Sequence, residues 1–158
     1  MTSSQLEKRL TAVFAAEAVT IGTVNSLRME VWLGILSHYK STLAGQIKRA
    51  GGKVIGRSQT AILAEFDTIV HAVDCGLKFQ HSVLDRNRGL PPENRVFFRL
   101  GLHVGEIILG VDALTGHGVQ IATQLVANTP PGGISISGQA YDLIANLKKE
   151  FLPSPGLV

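Results

Sequence analysis

The longest alternating run of apolar and polar positions lies between Val96 and Val104. Val96, Phe98, Leu100, Leu102 and Val104 point one way, and Arg99, Gly101 and His103 point the other. A period of two is the signature of a strand with two distinct faces. Gly105-Glu106 then predicts a turn or bulge, with Ile107 to Val111 returning as the partner strand. Leu10 to Val19, rich in Val, Ala and Phe, reads as a buried strand. Between Ser26 and Ala50 the spacing turns helical: Leu27, Val31, Ile35, Tyr39, Leu43 and Ile47 recur every fourth residue and are expected to share a face. Gly51-Gly52 ends that helix. Lys53 to Gly56 and Ile62 to Phe66 follow as two strands joined by a short turn.

Asp67-Thr68 is a capping pair for a helix running to about Arg88, with Val70, Val73, Leu77 and Leu84 expected on its inner side. Gly89-Leu90-Pro91-Pro92 breaks it. Val119, Ala122 and Val126 predict a further helix from about Gly118. Pro131-Gly132-Gly133 reads as a turn and Ile134 to Ile136 as a short strand. Ser137 is placed to cap a last helix through Leu147.

Strand, helix, strand, strand, helix, strand is the split βαβ order. It implies an α+β fold, a ferredoxin-like sandwich with a mixed sheet and helices on one face. No internal repeat or linker divides the chain, so residues 1–152 read as one domain and 153–158, with Pro153, Pro155 and Gly156, as a flexible tail.

Composition narrows the function classes. With 158 residues, 45% of them hydrophobic, the chain can bury a real core and is not a disordered segment. The net charge of +3 comes without a Lys/Arg run, so no nucleic-acid partner is expected. Cys75 is the single cysteine and cannot form an internal disulfide, which fits a cytoplasmic protein; its helical surroundings predict a core residue. Ala12 to Gly22, the most apolar early stretch, is too short to span a bilayer and carries Glu17, so no membrane segment and no signal peptide are expected. His38, His71, His81, His103 and His117 form no i, i+4 pair and have no cysteine beside them, which argues against a metal site. Gly116-His117-Gly118 is too short for a phosphate loop, and no Ser/His/Asp motif is present.

Four segments in order carry a family resemblance. Arg99-Leu100-Gly101-Leu102-His103-Val104-Gly105-Glu106 resembles the arginine, glycine, histidine, glycine strand of class III adenylate and guanylate cyclase catalytic domains. Gly118-Val119-Gln120-Ile121-Ala122-Thr123-Gln124-Leu125 is similar to the helix that follows. Pro131 to Ser137 resembles the next turn and strand. Gly51-Gly52-Lys53-Val54-Ile55 and Ala64-Glu65-Phe66 flank the family's central hairpin. The resemblance spans about residues 9 to 147, and His103 falls within it as a structural residue.

The resemblance implies a reaction, and it also implies that this chain has lost the means to perform it. Family members close ATP or GTP onto its 3′ oxygen and expel pyrophosphate, using two divalent ions held by two aspartates. The first aspartate aligns with Glu17, whose extra methylene carries the carboxylate roughly 1.5 Å further out. The second aligns with Thr60, which carries no charge. The purine-selecting lysine aligns with Gly56, and its acidic companion with Ala113, next to Asp112. The family's asparagine aligns with Gln120 and its phosphate-bracing arginine with Gln124, which donates hydrogen bonds without charge.

The family also works as head-to-tail pairs with the site at the interface, and this chain lacks both halves of the set. The expectation is a catalytically degenerate cyclase homology domain without a cofactor, acting as a dimerisation or regulatory module in cyclic-nucleotide signalling. It would pair with its own copy or another cyclase-type domain. Two alternatives stand beside it: an active cyclase with displaced ligands such as Glu17 and Asp112 and bound magnesium or manganese, and a sensor that binds nucleotide without turnover. Family members usually continue with another strand or hairpin, whereas here Lys148 to Leu152 runs into a proline-containing tail, so the expectation is either a trimmed sheet edge or a sequence that is part of a longer chain.

Overall fold

A computed structural model of the chain describes residues 7–19, 26–109, 114–115 and 117–151. Four strands form the centre of the sheet: β1 (Glu7–Val19), β2 (Lys53–Arg57), β3 (Ala61–Phe66) and β4 (Phe97–Leu109). Their spatial order is β2-β3-β1-β4. The neighbours pair antiparallel, so β1 and β2 run parallel with β3 between them. This is the split βαβ arrangement expected from the element order. Two short strands complete the sheet on β4: β5 (Leu114–Thr115) antiparallel, and β6 (Ile134–Ile136) parallel in register Leu100↔Ile134. The sheet is therefore mixed.

The helices are α1 (Ser26–Arg49), α2 (Ile69–Arg88), α3 (His117–Ala127) and α4 (Gly138–Phe151). The long α1 and α2 cover one face of the sheet, joined by Ala140 of α4. There Phe14, Phe66, Phe79, Phe98, Leu36 and Leu43 are fully buried in one cluster. Each such side chain contributes about 1.5–3 kcal/mol by leaving water. The shorter α3 lies on the opposite face, where Ala122 and Val126 pack on Val13, Ala15 and Ile107. The expectation of helices on one face thus holds for the long pair, and α3 is the addition.

Three expectations need correction. Gly105-Glu106 is not a turn: β4 runs through it as one strand and pairs with β1 from Val19↔Phe97 to Glu7↔Leu109. Ile107 and Ile108 extend the strand rather than pairing back on it. The glycine serves close approach instead, since a Cβ there would lie 3.0 Å from Gly118 Cα and 2.8 Å from the His103 ring.

The inner side of α2 is also different. Val70, Leu77 and Leu84 are exposed, and Ile69, Ala72, Cys75, Gly76, Phe79 and Val83 face the core. Gly76 lets the helix sit close, since a Cβ there would lie 3.2 Å from Leu100 Cδ2. On α1, Trp32, Leu36, Tyr39, Leu43 and Ile47 are buried while Val31 is exposed. Steps of four advance about 40° around a helix, so the stripe of fours leaves the core face toward its N-terminal end.

The caps follow the residues read from the sequence. Thr68 Oγ1 accepts from His71 N at 3.2 Å, and Ser137 Oγ accepts from Ala140 N at 3.2 Å. Gly132 takes φ +83° in the turn before β6, a conformation that favours glycine. His103 is structural: buried, with Nδ1 2.7 Å from Ser137 Oγ. Cys75 is a core thiol, pushed up to about 11 first by burial and then by Asp74. The proposed tail, 153–158, and Gly116 lie outside the described residues.

Candidate functional site

The hairpin β2–β3 carries its tip, Ser58 to Thr60, back against the end of β1. Ala18 N donates to Thr60 O at 2.8 Å, and Glu17 stands opposite Ala61 in the ladder. Positions 17 and 60, distant in sequence, therefore lie side by side. Alternation along β1 puts Val13 and Ala15 on the α3 face of the sheet, and Glu17 follows them there with its carboxylate exposed.

A cleft of about 390 Å³ opens at this point between the sheet and α3. Glu17, Gly56, Arg57, Ser58 and Thr123 contribute its polar or open positions, while Ala15, Leu63, Val119 and Val126 form apolar wall. Gly56 reaches the cleft through a bulge: the β2–β3 register jumps from Val54↔Ala64 to Gly56↔Leu63, so Ile55 is the extra residue. Thr123 Oγ1 donates to Val119 O, so its hydroxyl proton is engaged within the helix.

Two arginines that the sequence reading did not assign belong to this neighbourhood. Arg99 of β4 is the ladder partner of Glu17, and its Nε is buried without a hydrogen-bond partner among the described residues. Arg57 lines the cleft beside Gly56. Their relation to Glu17 depends on strand register, which single-strand patterns do not reveal. Lys40 of α1 was missed as well. It reaches across to the hairpin tip, donating from Nζ to Ser58 O at 2.5 Å and to Gln59 O at 3.1 Å.

The other candidate positions separate. Gln120 and Gln124 lie one helical turn apart on exposed positions of α3, outside the cleft lining. Ala113 and Asp112 fall outside the described residues. The cleft thus gathers Glu17 and Gly56, with Thr60 adjacent, and does not gather the two glutamines.

The donor set among the described residues does not fit a two-ion centre. Among the described residues Glu17 is the one carboxylate on the cleft lining, Thr60 offers a neutral oxygen, and a guanidinium stands opposite Glu17. Among the described residues no group of three His, Cys, Asp or Glu side chains could hold a metal ion. Magnesium favours near-ideal octahedral oxygen coordination, usually through carboxylates, phosphates and water. No helix among the described residues is long and apolar enough to cross a membrane.

Comparison with known proteins gives a consistent set of likenesses. No protein-family model matches the chain. A protein described as putative adenylate cyclase 3, from Rhizobium meliloti (strain 1021), is 28% identical over 145 residues, which is 91% of this chain and 25% of that protein. This chain therefore spans about a quarter of that relative's length. Among solved structures, an adenylate/guanylate cyclase/hydrolase from Silicibacter pomeroyi superposes with a TM-score of 0.74 at 27% identity, covering 94% of this chain and 85% of that one. The adenylyl cyclase CyaB from P. aeruginosa shares the fold, with a TM-score of 0.72 at 18% identity over 90% of this chain and 83% of its own.

Proposed function

We propose that the chain is a catalytically degenerate domain of the class III adenylate/guanylate cyclase type, which acts by pairing rather than by making a cyclic nucleotide. The observation that carries this reading is the junction of β1 with the hairpin tip. The backbone bond from Ala18 to Thr60 brings together the two positions that the resemblance assigns to anionic ligands. The side chains that arrive there are Glu17 and a neutral threonine, with Arg99 opposite the glutamate.

A triphosphate carries several negative charges, and its cyclisation places more charge on the leaving group. Preorganised positive charge is commonly the largest catalytic term in such reactions. In this cleft the walls are largely apolar, and Gly56 and Gln124 supply no cation where the family resemblance assigns a lysine and an arginine. Arg57 supplies one cation beside Gly56, without a pair of carboxylates among the described lining residues.

A head-to-tail pair could rescue a domain that lacked one half of the set. Here Glu17 and Thr60 impair one half, and Gly56, Gln120 and Gln124 the other. The domain is then a cytoplasmic dimerisation or regulatory module, joined to its own copy or to another cyclase-type domain. The test combines sedimentation at micromolar concentration with titration of ATP and GTP, with and without magnesium or manganese. A dimer with no metal-dependent nucleotide binding supports the proposal. A clean monomer at about 100 times that concentration contradicts pairing with its own copy, and metal-dependent nucleotide binding contradicts the degenerate site.

A further inference from the structure

On the other side of the hairpin tip, a second cleft of about 280 Å³ lies between α1 and the end of β2. Ser37, Lys40 and Ser41 of α1 line one wall, and Arg57 and Gln59 of the hairpin line the other. Residues 37, 40 and 41 fall within about 100° of one another around the helix, so two hydroxyls and an ammonium share a face. No carboxylate lines this cleft among the described residues.

We propose that this cleft binds a phosphate group carried by a small molecule. Lys40 is fixed by its two bonds to the hairpin carbonyls at 2.5 and 3.1 Å. An ammonium has three protons, so one donor remains after those bonds. Arg57 adds a guanidinium, whose fork of donors matches phosphate oxygens. Ser37, Ser41 and the Gln59 amide supply neutral donors that a tetrahedral anion accepts from several directions. Lys40 and Arg57 line this cleft together, and a dianion bound between them is attracted by both.

The inference stands independently of the degenerate-site reading. Arg57 borders both clefts, but the second faces α1 whereas Glu17 faces α3, and binding here requires no metal and no turnover. Its failure would leave the nucleotide assay untouched.

Calorimetric titration of the intact chain with inorganic phosphate and with AMP, at low salt, is the test. Both ligands are expected to bind saturably at one site and to weaken as salt screens the cations. Arg57→Gln and Lys40→Met should each weaken phosphate binding about tenfold or more, the loss of one charge-assisted contact. Ser41→Asp, which leaves both cations and the hairpin bonds in place, should abolish binding by adding a negative charge. Circular dichroism confirms that each variant is folded. Absence of saturable binding to the wild type, binding of AMP but not phosphate, or unchanged affinity in Arg57→Gln and Ser41→Asp would each overturn the assignment.

Discussion

Ala18 donates its backbone N–H to the carbonyl of Thr60 at 2.8 Å, and that bond makes Glu17 and Thr60 neighbours across the end of the sheet. The main chain therefore brings together two positions that the family resemblance assigns to metal ligands, while the side chains there are one carboxylate and one hydroxyl. A scaffold of this kind can be refilled in steps. Thr60→Asp with Glu17→Asp is expected to create manganese affinity, measured by electron paramagnetic resonance, with little or no cyclic nucleotide formed. Adding Gln124→Arg and Gly56→Lys tests whether the rest of the scaffold is competent. Turnover restored by the metal pair alone would show that the missing cations are not limiting.

Asn87 ties the two long helices to the segment that leads into β4. Tyr39 OH donates to Asn87 Oδ1 at 2.7 Å, and Asn87 Nδ2 donates to Val96 O at 2.9 Å, all in the interior. Asn87→Ala leaves two buried groups unpaired, each costing about 1–3 kcal/mol. Urea unfolding should show a larger loss for Asn87→Ala than for Tyr39→Phe, which removes one donor along with its bond. Equal losses would mean that the carbonyl of Val96 finds another partner.

Glycines at two positions should respond in opposite ways. A Cβ at Gly101 would lie 2.5 Å from Ala122 O and 3.0 Å from Val126 N, backbone atoms of α3 that cannot swing aside. Gly101→Ala is expected to destabilise by about 1–3 kcal/mol. A Cβ at Gly34, exposed within α1, meets nothing within 4 Å. Gly34→Ala should stabilise by about 0.5–1 kcal/mol through helix propensity. Thermal melts of the two variants decide both, and a neutral Gly101→Ala would contradict the α3–β4 packing.

Cys75 gives a pH dependence with a defined sign. Burial raises its thiol from 9.0 to about 11, so the folded chain holds the proton over a range where the unfolded chain releases it. That contribution is fully present below pH 9 and is lost as pH rises through about 11. Between those values the wild type should lose more stability than Cys75→Ala, read from urea midpoints at pH 8 and pH 11. Parallel losses in the two proteins would place the thiol in a more solvated site.

Much of this architecture was legible because the period of the pattern matched the element. Val96 to Val104 declared a two-faced strand, and the caps at Thr68 and Ser137 were readable from residue type. The face of α2 was not, because its buried stripe is built from Ala72, Cys75 and Gly76 as well as Phe79, while Val70, Leu77 and Leu84 stay outside. Counting large aliphatics selects the wrong side when close approach to the sheet demands small residues. The spacing 69, 72, 76, 79, 83 carried the right signal. Gly105 misled for a related reason: a glycine that admits a neighbouring helix looks the same in sequence as one that turns the chain. For the site, the resemblance marked Glu17, Gly56 and Thr60, but Arg99 opposite Glu17 and Lys40 on the hairpin depend on tertiary register that no local pattern encodes.

The most direct test of a degenerate site is turnover by the unmodified chain. The protein is incubated with ATP or GTP and manganese, a cation generally less exacting than magnesium in its ligand field, and cyclic nucleotide is measured against a control without protein. No product above the control is expected from either nucleotide. Robust formation of cyclic AMP or cyclic GMP, abolished by Glu17→Ala, would contradict the degenerate reading and make this an active cyclase.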